Sequence, residues 1–215
     1  SIGGHVRTRR WVVASPDRTV SDRLARGLSI SNLTASLLVN RGIADVQDGH
    51  RFLRPDLNAL LDPNLFVDMK KAVQRLMAAV RQGEKIGIFG DYDVDGTSGT
   101  AILYKFFELV GKTVTYKIPH RVNDGYGLNE KAIREFAAEG ARVVITIDCG
   151  TSDLEEIRLA RELGLDVIVL DHHEPPGELP PVYAMLNPKI AGNGYPFPGI
   201  CSTGISFKLA WALSN

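Results

Sequence analysis

The chain has 215 residues, 44% hydrophobic and 23% charged, and its acids and bases balance to no formal net charge. That length supports one substantial core with a small appendage. The apolar runs at 143–147 and 167–170 are far too short to span a bilayer, no secretory signal opens the chain, and two cysteines outside any CxxC pair exclude a disulfide framework and a zinc knuckle. The expectation is a cytoplasmic protein with no membrane partner, in which Cys149 and Cys201 are reduced and buried.

Taken in chain order, the first eighty residues carry no convincing strands. A basic start (His5, Arg7, Arg9, Arg10) precedes short helical patterns around 20–40 and 45–53, and Arg54-Pro55 and Asp62-Pro63 then break the chain. A further helix is predicted over 69–82, where Ala72, Val73, Leu76, Met77 and Val80 recur at helical spacing. From residue 81 onward, β-branched runs alternate with amphipathic stretches. The predicted strands are 85–89, 113–117, 142–147, 166–170 and 182–185, and the predicted helices lie near 97–110, 129–139, 153–163 and 203–213. Thr151, Ser152 and Asp153 offer capping oxygens to the third of these helices. The fold class expected is therefore α/β, a Rossmann-like parallel sheet with helices on both faces. It spans 71–215, and a small, mostly helical region precedes it over 1–70. Right-handed crossovers place all the parallel strands' C-terminal ends along one edge of the sheet.

The balanced charge conceals an asymmetry. Residues 1–80 hold twelve Lys and Arg against seven Asp and Glu, whereas residues 81–215 hold thirteen against eighteen. Five of the later acids, Asp91, Asp93, Asp95, Asp148 and Asp171, fall at predicted strand ends. Divalent cations among them would offset the local excess and let a polyanion approach.

The most informative segment is GDYDVDG at 90–96, directly after the first predicted strand. Three aspartates at alternate positions of an extended backbone bring their carboxylates together, which is costly unless a cation lies among them. Gly90 and Gly96 supply backbone freedom for the exit into the next helix. An EF-hand loop is excluded, because the twelfth position counted from Asp91 is Ile102 instead of Glu. VLDHHE at 169–174 presents an acid and two adjacent imidazoles at another strand end, and ITIDCG at 145–150 presents Asp148 at a third. Oxygen-rich ligation with one or two imidazoles suits manganese or magnesium, and shared carboxylates suggest two divalent cations. Two such ions serve phosphoester hydrolysis. A fourth segment, PHRVNDGYGL at 119–128, offers Arg121 as a phosphate clamp and His120 as a further polar contact. Gly125 and Gly127 allow close backbone approach there, and Tyr126 either stacks on a base or anchors its own loop.

DYDVDG from Asp91, RVNDGYGL from Arg121, DCG from Asp148 and DHH from Asp171 together resemble the ordered motifs of the DHH phosphoesterase family. NRGI at 40–43, FLRP at 52–55, LNPK at 186–189 and GISFKL at 204–209 resemble its RecJ-type single-strand exonuclease branch. So does Phe89, which stands where small-substrate relatives carry a histidine. The resemblance implies a 5′-to-3′ exonuclease acting on single-stranded DNA in recombination and repair. It also implies a single-strand-binding protein and a helicase as partners. Asp93, Asp95, Asp148 and His172 would ligate metal with Asp91 as an additional ligand, His173 would face the scissile phosphate, and Asp171 would orient the pair.

Members of the family carry a later metal-binding aspartate and a DHH-associated second domain, but no aspartate follows Asp171 here. The expectation is an incomplete enzyme, weak or inactive alone. The alternatives are a small-substrate phosphatase or oligoribonuclease, and a non-catalytic module that binds single strands.

Overall fold

A computed structural model describes residues 12–120 and 125–215. The basic start, with His5, Arg7, Arg9 and Arg10, lies outside the described residues, and so does Arg121. The chain divides into two units, one ending at Leu60 and the other running from Leu61 to Asn215.

The first unit contains α1 (Arg18–Leu28), α2 (Asn32–Asn40) and α3 (Val46–Leu53), closed on a small core of Leu24, Ala25, Leu28, Ala35 and Leu38. Each helix has a side-chain cap. Asp17 accepts from the Thr19 and Val20 N–H groups, Ser31 from Thr34 and Asp45 from Gln47 and Asp48. The helical pattern read over 20–40 is two helices, because Ser29 turns left-handed at φ 55° to end the first and Ser31 caps the second.

The second unit opens with a short 3-10 helix (Pro63–Leu65) and α4 (Met69–Arg81) and continues as β1 (Lys85–Gly90), α5 (Val94–Leu109), β2 (Thr115–Lys117), α6 (Glu130–Ala138), β3 (Ala141–Ile147), α7 (Leu154–Glu162), β4 (Asp166–Leu170), β5 (Ala184–Leu186) and α8 (Ser202–Ser214). The five strands form one parallel sheet in the order β2-β1-β3-β4-β5. The central strands read as unbroken apolar runs because both of their faces are covered. Ile86, Ile88, Val143, Ile145, Ile168 and Leu170 face a core shared with Leu76, Phe107 and Leu209, while Phe89, Val144, Val167 and Val169 face Ile133, Phe136 and Ile157. The expected α/β architecture with helices on both faces is the one found. No helix among the described residues is long and apolar enough to cross a membrane.

Several local readings change, and β2 starts at Thr115 instead of residue 113. The last strand starts at Ala184 instead of residue 182, because the N–H of Val182 closes a turn onto Pro180 and the prolines before it cannot donate to a ladder. No side chain caps α7: the Asp153 carboxylate instead accepts the Leu128 N–H at 3.0 Å. Cys149 is buried as expected, but Cys201 is exposed, because it sits outside the core at the position preceding α8.

Candidate metal centre

Three neighbouring strands each end on an aspartate, and the sheet's own ladder fixes all three. Asp91 follows β1 and donates its N–H to Ile147 O at 3.0 Å. Asp148 follows β3 and donates to Leu170 O at 2.9 Å, and Asp171 follows β4 and donates to Leu186 O at 3.2 Å. Each acid is therefore pinned by the last residue of the next strand, and the carboxylates share one rim. Their residues are only 1–2% exposed. Asp148 adopts φ 64°, a conformation costly for a residue with a Cβ and held here by the surrounding structure.

Two groups of potential ligand atoms form on this rim. Asp91, Asp93 and Asp148 make one and Asp148, His172 and His173 the other, the atoms within each lying inside 4.8 Å of one another. Asp148 belongs to both. Burial pushes its carboxyl up to about 7; the Ser202 hydroxyl at 3.0 Å opposes that rise, and the charges of Asp95 and Asp93 add to it. Burial also raises Asp91, and Asp91 Oδ1 is buried with no hydrogen-bond partner among the described residues. An orphaned carboxylate oxygen among crowded acids is unfavourable by itself and fits a divalent cation. Oxygen donors with imidazole favour magnesium or manganese over softer metals.

The run from Asp91 does not stay extended. Asp93 caps α5, its Oδ1 accepting from the N–H groups of Asp95 and Gly96 at 2.8 and 3.0 Å, so Asp95 lies in the first helical turn and faces α8. There its carboxylate accepts the Ser202 N–H at 2.8 Å and the Thr203 N–H at 2.7 Å, together with the Thr203 hydroxyl. Burial alone would raise the Asp95 carboxyl, but these donors hold it below its ordinary value. Asp95 stands outside both ligand groups, with Oδ2 at 3.5 Å from His172 Nε2. The glycines act by size. A Cβ on Gly96 would overlap the main chain of Asp91, and one on Gly90 would meet Thr100 Oγ1, so the strand and helix can approach this closely only without them.

The histidine pair is held from below. Asp171 Oδ1 accepts the His172 N–H at 2.8 Å and lies 2.7 Å from His173 Nδ1, while its Oδ2 accepts the Thr151 N–H at 3.1 Å. Burial would raise Asp171, yet the donors from His173 and Thr151 bring it down to about 2. The same bond raises His173, against burial. His172 Nε2 lies 3.2 Å from Asp148 Oδ1.

The family model described as the N-terminal domain of the DHH family matches residues 85–215. The chain belongs to the DHH family. Its DHH signature, Asp171 to His173, is the strand-end cluster just described. Similar proteins include the single-stranded-DNA-specific exonucleases RecJ of Bacillus subtilis strain 168 and Escherichia coli K12. The first is 41% identical over 204 residues, covering 95% of this chain and 26% of the relative. The second is 33% identical over 182 residues, covering 84% and 31%. Among solved structures, an exonuclease RecJ bound to manganese matches with a TM-score of 0.62 at 36% identity, over 67% of this chain and 37% of that one. RecJ from Thermus thermophilus in complex with Mn2+ matches with a TM-score of 0.72 at 30% identity, over 94% and 28%. The chain thus spans about a quarter to a third of the length of the curated relatives it matches.

The loop at 119–128 is only partly described. His120 is exposed after Pro119, Gly125 and Gly127 adopt φ 78° and 85°, and Tyr126 turns its hydroxyl toward His173. Sequence reasoning missed the residues that brace the DHH turn. Asn187, fully buried after β5, donates from Nδ2 to Thr151 Oγ1 and to the main-chain O of His173, both at 2.9 Å. Ser202 and Thr203 likewise dock α8 onto Asp148 and Asp95. The LNPK and GISFKL segments pointed to these places without showing what they hold.

Proposed function

We propose that this chain is the metal-bearing part of a 5′-to-3′ exonuclease that hydrolyses phosphodiester bonds of single-stranded DNA. The observation that carries the reading is Asp148, shared between two groups of ligand atoms on one sheet rim. Asp91, Asp93, Asp95, Asp148 and His172 are the proposed ligands for two manganese or magnesium ions. Asp95 would join them by exchanging part of its bonding to the start of α8, where Ser202, Thr203 and the Cys201 side chain donate to it. Bound there, the ions supply a more acidic water and neutralise charge on the phosphate.

The chain's own residues do the rest. Asp171 fixes the ring of His173 through Nδ1, which leaves Nε2 as the atom to meet the scissile phosphate. His120, Arg121, Gly125 and Gly127 flank Tyr126 in sequence and are the proposed phosphate contacts. The helical unit that ends at Leu60 is proposed as a separate domain, ten residues shorter than the 1–70 read from the sequence because α4 belongs to the second unit, and the basic start is a further phosphate contact. Single-stranded DNA is the partner, with a single-strand-binding protein and a helicase as protein partners in the cytoplasm. Support for polarity and partners comes from the likeness to RecJ.

The test is manganese-dependent release of nucleotides from a 5′-labelled single strand by the protein that carries this sequence. Asp93→Ala and His172→Ala should abolish it. Hydrolysis of a dinucleotide alone, or turnover unchanged in both variants, would contradict the proposal.

A further inference from the structure

Helix α5 starts in the acidic turn and runs away from it along the open edge of the sheet. Gly96, Gly99, Thr100, Leu103 and Phe107 form its buried side. The outer face of a surface helix ordinarily carries charge. Here Val94, Thr97, Ala101 and Tyr104 recur on one outer stripe at helical spacing, and Val94, between Asp93 and Asp95, is 79% exposed. Beside this stripe runs β2, the edge strand. Tyr116 and Ile118, two residues apart, share one side of the chain there, while Lys117 between them reaches Glu135 and Glu139. Thr97, Ala101, Tyr104 and Lys105 from the helix and Tyr116 and Ile118 from the edge line a largely apolar groove of about 320 Å3, within the size range of ligand sites. The Tyr104 and Tyr116 rings meet edge-on at 5.5 Å between centroids, and Tyr116 is 55% exposed.

We infer that the single strand lays its bases in this groove beyond the scissile phosphate, with Tyr104 and Tyr116 as the stacking surfaces. This rests on the proposed exonuclease reading and deepens it, giving the strand a path away from the metal rim. Both walls begin at that rim: Val94 lies between two proposed ligands, and Ile118 leads through Pro119 into the proposed phosphate loop at His120. A second copy of the chain, or another protein segment, has no need of a groove that opens among metal ligands. From Val94 to Tyr104 the helix rises about 15 Å, room for a few bases at the spacing of about 3.4 Å in a stacked strand. Aromatic faces accept every base, as an enzyme that digests any sequence requires. Lys105 stands at the lip, bonded to Glu108 at 2.7 Å. Both side chains are mostly exposed, so the pair opens to a passing phosphate at little cost.

The experiment is titration of the protein that carries this sequence with a labelled, phosphorothioate-linked oligothymidylate in Mn2+. Hydroxyl-radical footprinting of Tyr104 and Tyr116 accompanies it. Tyr116→Ala should weaken binding about tenfold, and Tyr116→Phe, which keeps the ring, should restore it. Abasic sites a few nucleotides from the 5′ end should weaken binding to the unmodified protein by a similar factor. They should weaken binding to Tyr116→Ala little further, because both changes remove the same contact. The two tyrosines should be oxidised in the free protein and protected by the strand. Equal affinity of Tyr116→Ala and the unmodified protein, or abasic and Tyr116→Ala losses that simply add, would overturn the inference alone. So would tyrosines already protected before DNA is added, which would mark a second copy or another segment as the occupant. An unmodified protein that neither binds nor cleaves single strands would overturn the proposed function and this inference with it.

Discussion

The carboxylate of Asp95 accepts the main-chain N–H of Thr203 at 2.7 Å, joining the first turn of α5 to the first turn of α8 across 108 residues of chain. Thr203 adds its hydroxyl and Ser202 its N–H, so one carboxylate satisfies donors that a helix start otherwise leaves to solvent. Thr203→Val removes only the hydroxyl donor and should destabilise the metal-free chain by about 1 kcal/mol, and Asp95→Ala by about 2 to 3 kcal/mol. Urea unfolding in a chelator measures both. Equal stability of Asp95→Ala and the parent chain would show that α8 does not depend on this bond.

The bond from Asp95 to α8 is illegible in the sequence for a physical reason. The alternation of Asp91, Asp93 and Asp95 predicts a shared direction only while the backbone is extended, and capping by Asp93 ends that extension before Asp95 can use it. The strands are more legible. Residues 166–170 are a strand in the sequence reading and in the structure, because a buried parallel strand writes its two covered faces as a continuous apolar run. The rim position of Asp91, Asp148 and Asp171 follows from that. The last strand begins two residues later than its pattern predicts, because the hydrogen-bond closure at Val182 and Pro180 overrides β propensity. Asn187 falls in the LNPK segment that carries part of the resemblance, but its bracing role is illegible there, since a buried amide is identified by partners that only the fold supplies.

A pH dependence follows from the crowded acids. The Asp148 carboxyl is pushed up to about 7 by burial, against an ordinary value of 3.8, so the folded chain holds this proton where the unfolded chain has lost it. That contribution to stability is full below about pH 4 and disappears as pH rises through about 7. Raised Asp91 and His173 act in the same direction. The metal-free chain should lose on the order of 2 kcal/mol between about pH 5 and pH 7.5. Asp148→Asn should flatten the profile, and so should saturating Mn2+. Stability that rises over this interval in chelator would contradict the electrostatic account.

Asn187 braces the DHH turn through two bonds from one amide nitrogen. Asn187→Ala strands Thr151 Oγ1 and the His173 carbonyl and should cost about 2 kcal/mol in stability. It should also weaken Mn2+ binding by about tenfold or more in calorimetry, because the His172–His173 turn loses its support. Unchanged affinity would limit Asn187 to a packing role.

Gly96 has no room for a side chain, since a Cβ there would stand 2.5 Å from Asp91 N. Gly96→Ala should move the Asp91 backbone and lower the melting temperature clearly below that of Gly177→Ala, a site with nothing within 4 Å of the added carbon. Equal melting temperatures would show that β1 and α5 can separate at little cost.

The central claim is that the strand-end acids and His172 hold divalent cations, and anomalous diffraction from crystals grown in manganese tests it most directly. The account predicts manganese peaks on the rim bounded by Asp91, Asp93, Asp148 and His172, with Asp148 touching more than one of them and His173 touching none. Crystals in millimolar manganese that show no peak there, or peaks only elsewhere on the surface, would contradict it.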